Sequence, residues 1–224
     1  MTKLILFEDM NALDCGATVT SVETLDDHVA LRLDQTVFYP QGGGQPCDQG
    51  KISAPNGDFI VESVRWVDGD IVHYGHFESG AFMAGDIVSC WVDEDRRKLN
   101  TRNHSGGHLI DLALRRIGVH LVPGKGYHFP EGPYVEYEGE VEEDFAEKLE
   151  VACNELISEN ITTRVEMMSG EEAAKGKPLR MVYYGDFGVP CGGTHVNELS
   201  EIGHLRIRKV KQKKGKVHVK YALD

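Results

Sequence analysis

No apolar run in this chain approaches the ~20 residues that a membrane-spanning helix needs, so no membrane partner is expected. The opening MTKLILFEDM has a single Lys, few apolar residues and no small-residue cleavage site, and does not read as a signal peptide. Cysteine is scarce and unpatterned, with five residues at 15, 47, 90, 153 and 191. An odd count without framework spacing argues against structural disulfides and for a reducing, cytoplasmic setting. No internal repeat or low-complexity segment interrupts the chain, and no long coiled coil is there to dimerise it, so a monomer is expected.

A positive balance is also lacking: the formal net charge is −12, which at first sight excludes nucleic acid. The distribution reverses that reading. Residues 138–160 carry nine Asp/Glu against Lys148 alone, whereas residues 204–220 carry eight Lys/Arg and no acid, among them Arg206, Arg208, Lys211, Lys213 and Lys214. A second basic group, Arg96, Arg97, Lys98 and Arg102, precedes residue 104. Screening limits the reach of a charge to ~8 Å at physiological salt, so a basic stripe binds phosphate whatever a distant acidic face does. The plainer alternative is a solvated, charged hairpin.

What is present is ordinary globular material, 224 residues with 41% apolar and 27% charged content. Residues 1–92 read as β. Short runs such as VALRL, KISA, DFIVESVRWV, DIVHYGHF and DIVSCWV are separated by turn dipeptides, Asn56-Gly57 and Asp68-Gly69 among them, and predict a small barrel. The composition changes at Asp93. Apolar residues at Leu99, Leu109, Leu112, Ala113 and Ile117 predict a helix ending near Gly118. A second amphipathic helix is expected in EDFAEKLEVACNELISEN, and a short one after a capping box at Ser169 and Glu172. TTRVEMM and LRMVYYG read as strands, and HLRIRKV with KVHVKYAL as a hairpin turning at Lys214-Gly215. The expected architecture is α+β: a small β-barrel over 1–92, then an α/β two-layer domain with an antiparallel sheet over 93–224.

Two short motifs carry the chemistry. His104-Ser105-Gly106-Gly107-His108 places two imidazoles on one helix face, and Cys191-Gly192-Gly193-Thr194-His195 adds a thiolate and a third imidazole from a Gly-rich loop. Three imidazoles and one thiolate suit a tetrahedral Zn²⁺ site. Four protein ligands suit a closed structural site, whereas catalytic zinc keeps a position for water or substrate, so a staple and a catalyst both stand at this point. Gly106 and Gly107 cost a helix ~1 kcal/mol each relative to Ala, which implies that something approaches the backbone closely there.

NHSGGHL followed by CGGTHVNELSEIG resembles the editing domain of alanyl-tRNA synthetase, and more closely its free-standing relatives, the AlaX-type alanyl-tRNA editing proteins. TVFYPQGGGQPCDQG and HLRIRKVKQKKGKVHVKYAL also fit that family, in the same order along the chain. The resemblance implies a zinc-dependent trans-editing hydrolase. It would remove serine, and in some members glycine, from mischarged tRNA(Ala), with one Zn²⁺ per chain held by His104, His108, Cys191 and His195. Many synthetase-embedded versions carry a Gln-Lys-Gly segment after the first motif helix; the corresponding region here, residues 122–137, reads VPGKGYHFPEGPYVEY and lacks the glutamine.

Alanine and serine differ by one hydroxyl, and a site that hydrogen-bonds it rejects the analogue lacking it by up to ~10⁴-fold. Thr36, Gln45 and Thr194 are the candidates for that contact, with Gly44 allowing close approach to a nucleotide or to the metal site. Gly192 and Gly193 are candidate oxyanion or ribose donors. Arg96, Arg97, Arg102, Arg206, Arg208, Lys211, Lys213 and Lys214 are the expected contacts to the acceptor end. Two alternatives stand beside this: deacylation of another mischarged tRNA such as Ser-tRNA(Thr), and a non-catalytic RNA-binding module with a structural zinc.

Overall fold

The structure, a computed structural model, describes residues 1–168 and 179–224. The expected capping box at Ser169 and Glu172 lies outside the described residues. The chain divides into two compact units, one of residues 1–42 and 46–98, the other of 43–45 and 99–224. The division falls after Lys98, within a helix, not at the composition change near Asp93, and the Gly43–Gln45 segment is counted with the C-terminal unit.

The N-terminal unit is a closed antiparallel barrel, as its spaced strand runs predict. Its strands are β1 (Lys3–Leu4), β2 (Asp14–Thr24), β3 (Val29–Leu33), β4 (Gln35–Thr36), β5 (Gly50–Ala54), β6 (Gly57–Val67), β7 (Asp70–Gly80) and β8 (Ile87–Val92). The barrel runs β2-β3-β7-β6-β5-β8 and closes by β8 pairing with β2, while β1 lies parallel to β4 outside it. Alternation sets which residues enter the interior: in β8, Val88, Cys90 and Val92 are buried and Ile87, Ser89 and Trp91 are exposed. Asp68 and Gly69 take φ of 52° and 80°, the pair of left-handed conformations that a two-residue hairpin turn requires.

One buried ion pair ties this unit together. The Arg97 guanidinium donates from Nε to both carboxylate oxygens of Asp48 at 3.0 Å, and from Nη2 to Val37 O at 2.8 Å. Asp48 also accepts from Tyr39 N at 2.6 Å, so the pair holds the loop after β4. Arg97 is only 4% exposed, which corrects its reading as a phosphate contact.

The C-terminal unit packs two helices against sheet. Helix α1 (Glu94–Arg116) ends as expected: Gly118 has φ 69°, its N–H meets Arg115 O, and Val119 N meets Leu114 O, a Schellman closure. Leu109, Leu112 and Ala113 are buried, but Leu99 is 42% exposed and does not belong to the apolar face. Strands β9 (Val122–Tyr127) and β10 (Tyr134–Glu138) follow, then α2 (Phe145–Glu159), which buries Phe145, Leu149, Ala152, Cys153 and Leu156. After these come β11 (Thr163–Met168), β12 (Leu179–Tyr184), β13 (Phe187–Pro190), β14 (Leu205–Lys213) and β15 (Lys216–Leu223). They make a four-stranded sheet in the order β14-β15-β10-β9 and a three-stranded one, β11-β12-β13. The β14–β15 hairpin turns at Lys214 and Gly215, with φ of 52° and 71°. Among the described residues no helix is long and apolar enough to cross a membrane.

Candidate metal centre

His104 and His108 sit one turn apart on α1, with ring centroids 5.1 Å apart. The loop after β13 brings His195 to 4.7 Å from the His104 ring and 5.2 Å from the His108 ring. Cys191 Sγ lies 3.4 Å from His104 Nε2. One ligand atom from each of the four residues falls within 4.8 Å of every other. The edges of a tetrahedron with zinc–nitrogen and zinc–sulfur bonds are about 3.3–3.8 Å, so a metal ion fits with small side-chain adjustments.

The hydrogen bonds decide which nitrogens are free. Gln45 Oε1 accepts from Thr194 N at 3.0 Å, and since a backbone N–H only donates, the carboxamide orientation is set. The same oxygen lies 2.6 Å from His104 Nδ1, which therefore carries the proton and leaves Nε2 as a lone pair. Tyr184 Oη lies 2.7 Å from His195 Nδ1, and His195 Nε2 is buried with no hydrogen-bond partner. His108 Nδ1 stands 3.5 Å from Asp111 Oδ2, too far for a good hydrogen bond, and its Nε2 is likewise buried and unpartnered. Buried imidazole nitrogens without partners are costly unless something else binds them. They converge on a thiolate donor, which is the arrangement a metal ion satisfies.

Electrostatics agree with that donor set. Burial holds the His104 and His195 imidazoles well below the ordinary value, so both are neutral. Burial also presses His108 downward, but Asp111 and Cys191 together outweigh it and raise the imidazole to about 9. Burial pushes the Cys191 thiol up, and the His108 imidazolium, the Gly193 N–H and Arg180 outweigh that and bring it below the usual thiol value.

The remaining candidates fall into clear places. Gln45 and Thr194 are buried beside the candidate ligands and bonded to each other: Gln45 Nε2 donates to Thr194 Oγ1 at 2.9 Å, and that hydroxyl also meets Thr101 Oγ1 at 2.7 Å. Together they hold His104 and the loop. Gly44, φ 78°, comes against protein and not nucleotide: a Cβ there would stand 2.3 Å from Gly126 O, and its carbonyl accepts from His128 N. Gly193 is required by packing, since its Cβ would stand 1.8 Å from His104 Cε1, and its N–H points at Cys191 Sγ at 3.5 Å. It is therefore not an oxyanion donor. Gly192 is exposed and unhindered. Thr36 belongs to the N-terminal unit, where its hydroxyl lies 2.8 Å from buried His73 Nε2. Of the basic candidates, Arg96 donates to Cys47 O at 3.1 Å, Arg102 to Ile202 O and Asp224 O, and Arg206 pairs with Asp224 at 2.7 Å. Arg208, Lys211, Lys213 and Lys214 are exposed.

Four contributors escaped the sequence reading. Asp111 is legible in retrospect, three residues after His108 on the same helix face. Tyr184 and Arg180 come from β12; the Arg180 guanidinium donates to Cys191 O at 2.8 Å and Gly193 O at 2.9 Å and clamps the ligand loop. His128 is the fourth. A Cβ on Gly107 would stand 2.3 Å from its Cε1, so its ring is what approaches that helix glycine, while Tyr221 and Leu223 lie against Gly106. Tyr221 Oη spends its one proton on Asn103 O at 2.7 Å, so it accepts from His128 Nδ1 at 2.8 Å. That leaves His128 Nε2 as an acceptor, and burial brings the imidazole down to about 4, so it is neutral. His128, His104, His108 and Cys191 share a cleft of about 250 Å³ with Gly43, Asp111 and the β9 segment Pro123–Gly126.

Residues 9–96 match the family model of tRNA synthetases class II (A), and residues 179–218 that of the threonyl and alanyl tRNA synthetase second additional domain. The chain is 29% identical over 220 residues to the alanyl-tRNA editing protein AlaX-L of Pyrococcus horikoshii, covering 92% of this chain and 54% of that protein. It is 34% identical over 198 residues to an alanine–tRNA ligase of Anaeromyxobacter sp., covering 81% of this chain and 22% of the ligase. With the ligase of Haloquadratum walsbyi the identity is 28% over 223 residues, 92% of this chain and 24% of the ligase. The chain thus spans about half the length of the editing protein and about a quarter of these ligases.

Proposed function

This chain resembles the free-standing alanyl-tRNA editing proteins along nearly its whole length, and from that we propose that it is an aminoacyl-tRNA deacylase acting in trans to alanyl-tRNA synthetase in the cytoplasm. Its substrate is tRNA(Ala) carrying serine or glycine, and its cofactor is one Zn²⁺ per chain. The observation that carries the reading is the convergence of one ligand atom each from His104, His108, Cys191 and His195 to within 4.8 Å of one another, with the His108 and His195 Nε2 atoms buried and unpartnered.

Zinc bound there would supply a Lewis acid for an ester carbonyl or a bound water. The protein's own groups have separate parts. Gln45 and Tyr184 orient the His104 and His195 imidazoles, Asp111 sets a negative charge beside His108, and Arg180 fixes the loop. His128 offers an acceptor at the cleft that suits the α-ammonium of an aminoacyl ester. Gly192 offers an unhindered backbone N–H to a developing oxyanion. Gln45 and Thr194 do not line the cleft, so recognition of the serine hydroxyl falls to groups that do, Lys125 among them.

The test is a deacylation panel of Ser-tRNA(Ala), Gly-tRNA(Ala), Ala-tRNA(Ala) and Ser-tRNA(Thr). Release of serine or glycine from tRNA(Ala), with alanine spared, is expected. Turnover of Ser-tRNA(Thr) alone would move the activity to another tRNA. No turnover by protein carrying one zinc would leave an RNA-binding module with a structural metal.

A further inference from the structure

The sheet β14-β15-β10-β9 has two faces, and the core uses one. Val217, Val219 and Tyr221 of β15 and Val135 and Tyr137 of β10 are buried with the α1 and α2 side chains. The alternate residues form the other face. Directly opposed residues share a face. The register opposes Lys211 to His218, His218 to Glu136, Lys209 and Tyr134 to Lys220, and Tyr134 to Tyr127.

That face carries two rows. One is basic: Lys209, Lys211, Lys213, Lys216 and Lys220 are all exposed. Among the described residues the ion pairs of this hairpin sit at its base, where His204 and Arg206 meet Asp224. The other row is aromatic. Phe129 stacks on Tyr127 at 4.5 Å and 14°, Tyr127 on Tyr134 at 5.2 Å and 16°, and Tyr134 on His218 at 4.2 Å and 29°. All four rings are half-buried, so this pile of π-surface lies outside the core with its edges in solvent. It starts on β9, whose Lys125 and Gly126 line the metal cleft, and ends among the lysines.

A lysine row beside stacked rings on one face of an antiparallel sheet is the combination that binds single-stranded nucleic acid: phosphates take the charges and bases continue the stack. We propose that this face docks the unpaired 3′-terminal nucleotides of tRNA. The duplex end lies over the lysines of β14 and β15, and the single strand passes the ring pile toward the cleft at β9. The choice of tRNA rests on the deacylase reading; the preference for an unpaired end rests on the face alone.

The experiment measures binding of the full chain to two fluorescein-labelled acceptor-stem RNA hairpins, one with the four unpaired 3′ nucleotides and one blunt. Wild type should bind the overhang tighter by on the order of ten-fold per stacked base. Tyr127→Leu with Tyr134→Leu should lose that preference and bind the blunt hairpin unchanged, while the Tyr→Phe pair retains it. Lys211→Gln with Lys220→Gln should weaken both RNAs and reduce the salt slope by roughly 0.7–0.9 for each phosphate no longer neutralised. Equal wild-type binding to both hairpins, or an overhang preference that survives in the Leu pair, overturns the proposal. Loss of blunt binding in the Leu pair does too, since the rings would then only hold up the sheet. Deacylation on the same preparations separates the two readings: an overhang preference without turnover removes the deacylase and keeps the docking face, and turnover without the preference does the reverse.

Discussion

Gln45→Leu is the most informative single change, because Gln45 touches the metal cluster only through hydrogen bonds. The residue is fully buried, and its carboxamide receives the His104 Nδ1 proton and the Thr194 N–H while donating to Thr194 Oγ1. Leucine matches its size and leaves two buried donors unsatisfied. Each such donor costs roughly 1–3 kcal/mol, so the apo protein should lose about 2–6 kcal/mol, less whatever local relaxation recovers. The His104 ring also loses what fixes its tautomer, and loss of such an orienting partner lowers metal affinity by about 10–100-fold. Gln45→Glu keeps an acceptor for both donors, and the Thr194 hydroxyl can turn to donate, so zinc affinity should stay within a few-fold of wild type. Zinc affinity by chelator competition, with urea unfolding of the apo forms, reads both quantities. A Leu variant that binds zinc as tightly as wild type would show that the Gln45–His104 bond does not orient the ligand and would refute the reasoning.

Two further predictions concern the barrel. His73 is buried, and desolvation lowers its imidazole from 6.5 to about 4. Its folded pKa is below the unfolded one, so the unfolded chain takes up the proton first as pH falls: the N-terminal unit should be fully stable above pH ~6.5 and lose about 3 kcal/mol toward pH 4 at ~1.4 kcal/mol per unit. A His73→Asn variant that retains this acid limb would place it elsewhere. For the Arg97–Asp48 pair, Asp48→Leu alone should destabilise by about 3–5 kcal/mol by leaving a buried guanidinium unpaired, whereas Asp48→Leu with Arg97→Met should recover much of that; additive losses on denaturant unfolding would contradict the pairing.

Local pattern was enough for most of the fold. The period-2 runs of the first 92 residues, Gly118 closing α1 and Lys214-Gly215 turning the last hairpin all act within a few residues, so they are legible in one dimension. The two metal motifs are legible for the same reason, each being a spacing of four along the chain. What escaped comes from residues that only tertiary structure joins. Arg97 looked like part of a basic run because its partner Asp48 is remote in sequence. Gly44 and Gly193 looked like ligand cradles, when each makes room for a protein neighbour, Gly126 O and the His104 ring. His128 carried no motif at all; Gly107, the helix glycine that admits its ring, was the trace of it. Strand β13 was missed because FGVP, four residues with a Gly and a Pro, has no strand pattern and is ordered by pairing with β12.

The measurement that bears most directly on the account is serine release from Ser-tRNA(Ala) by one preparation in three states: as purified, stripped by chelator, and reloaded with one equivalent of zinc, with metal content read on each. Turnover that disappears on stripping and returns on reloading, together with a His108→Ala variant that retains neither zinc nor activity, is the expected result. Full activity in the stripped protein, or a zinc-loaded protein that releases neither serine nor glycine, would contradict it.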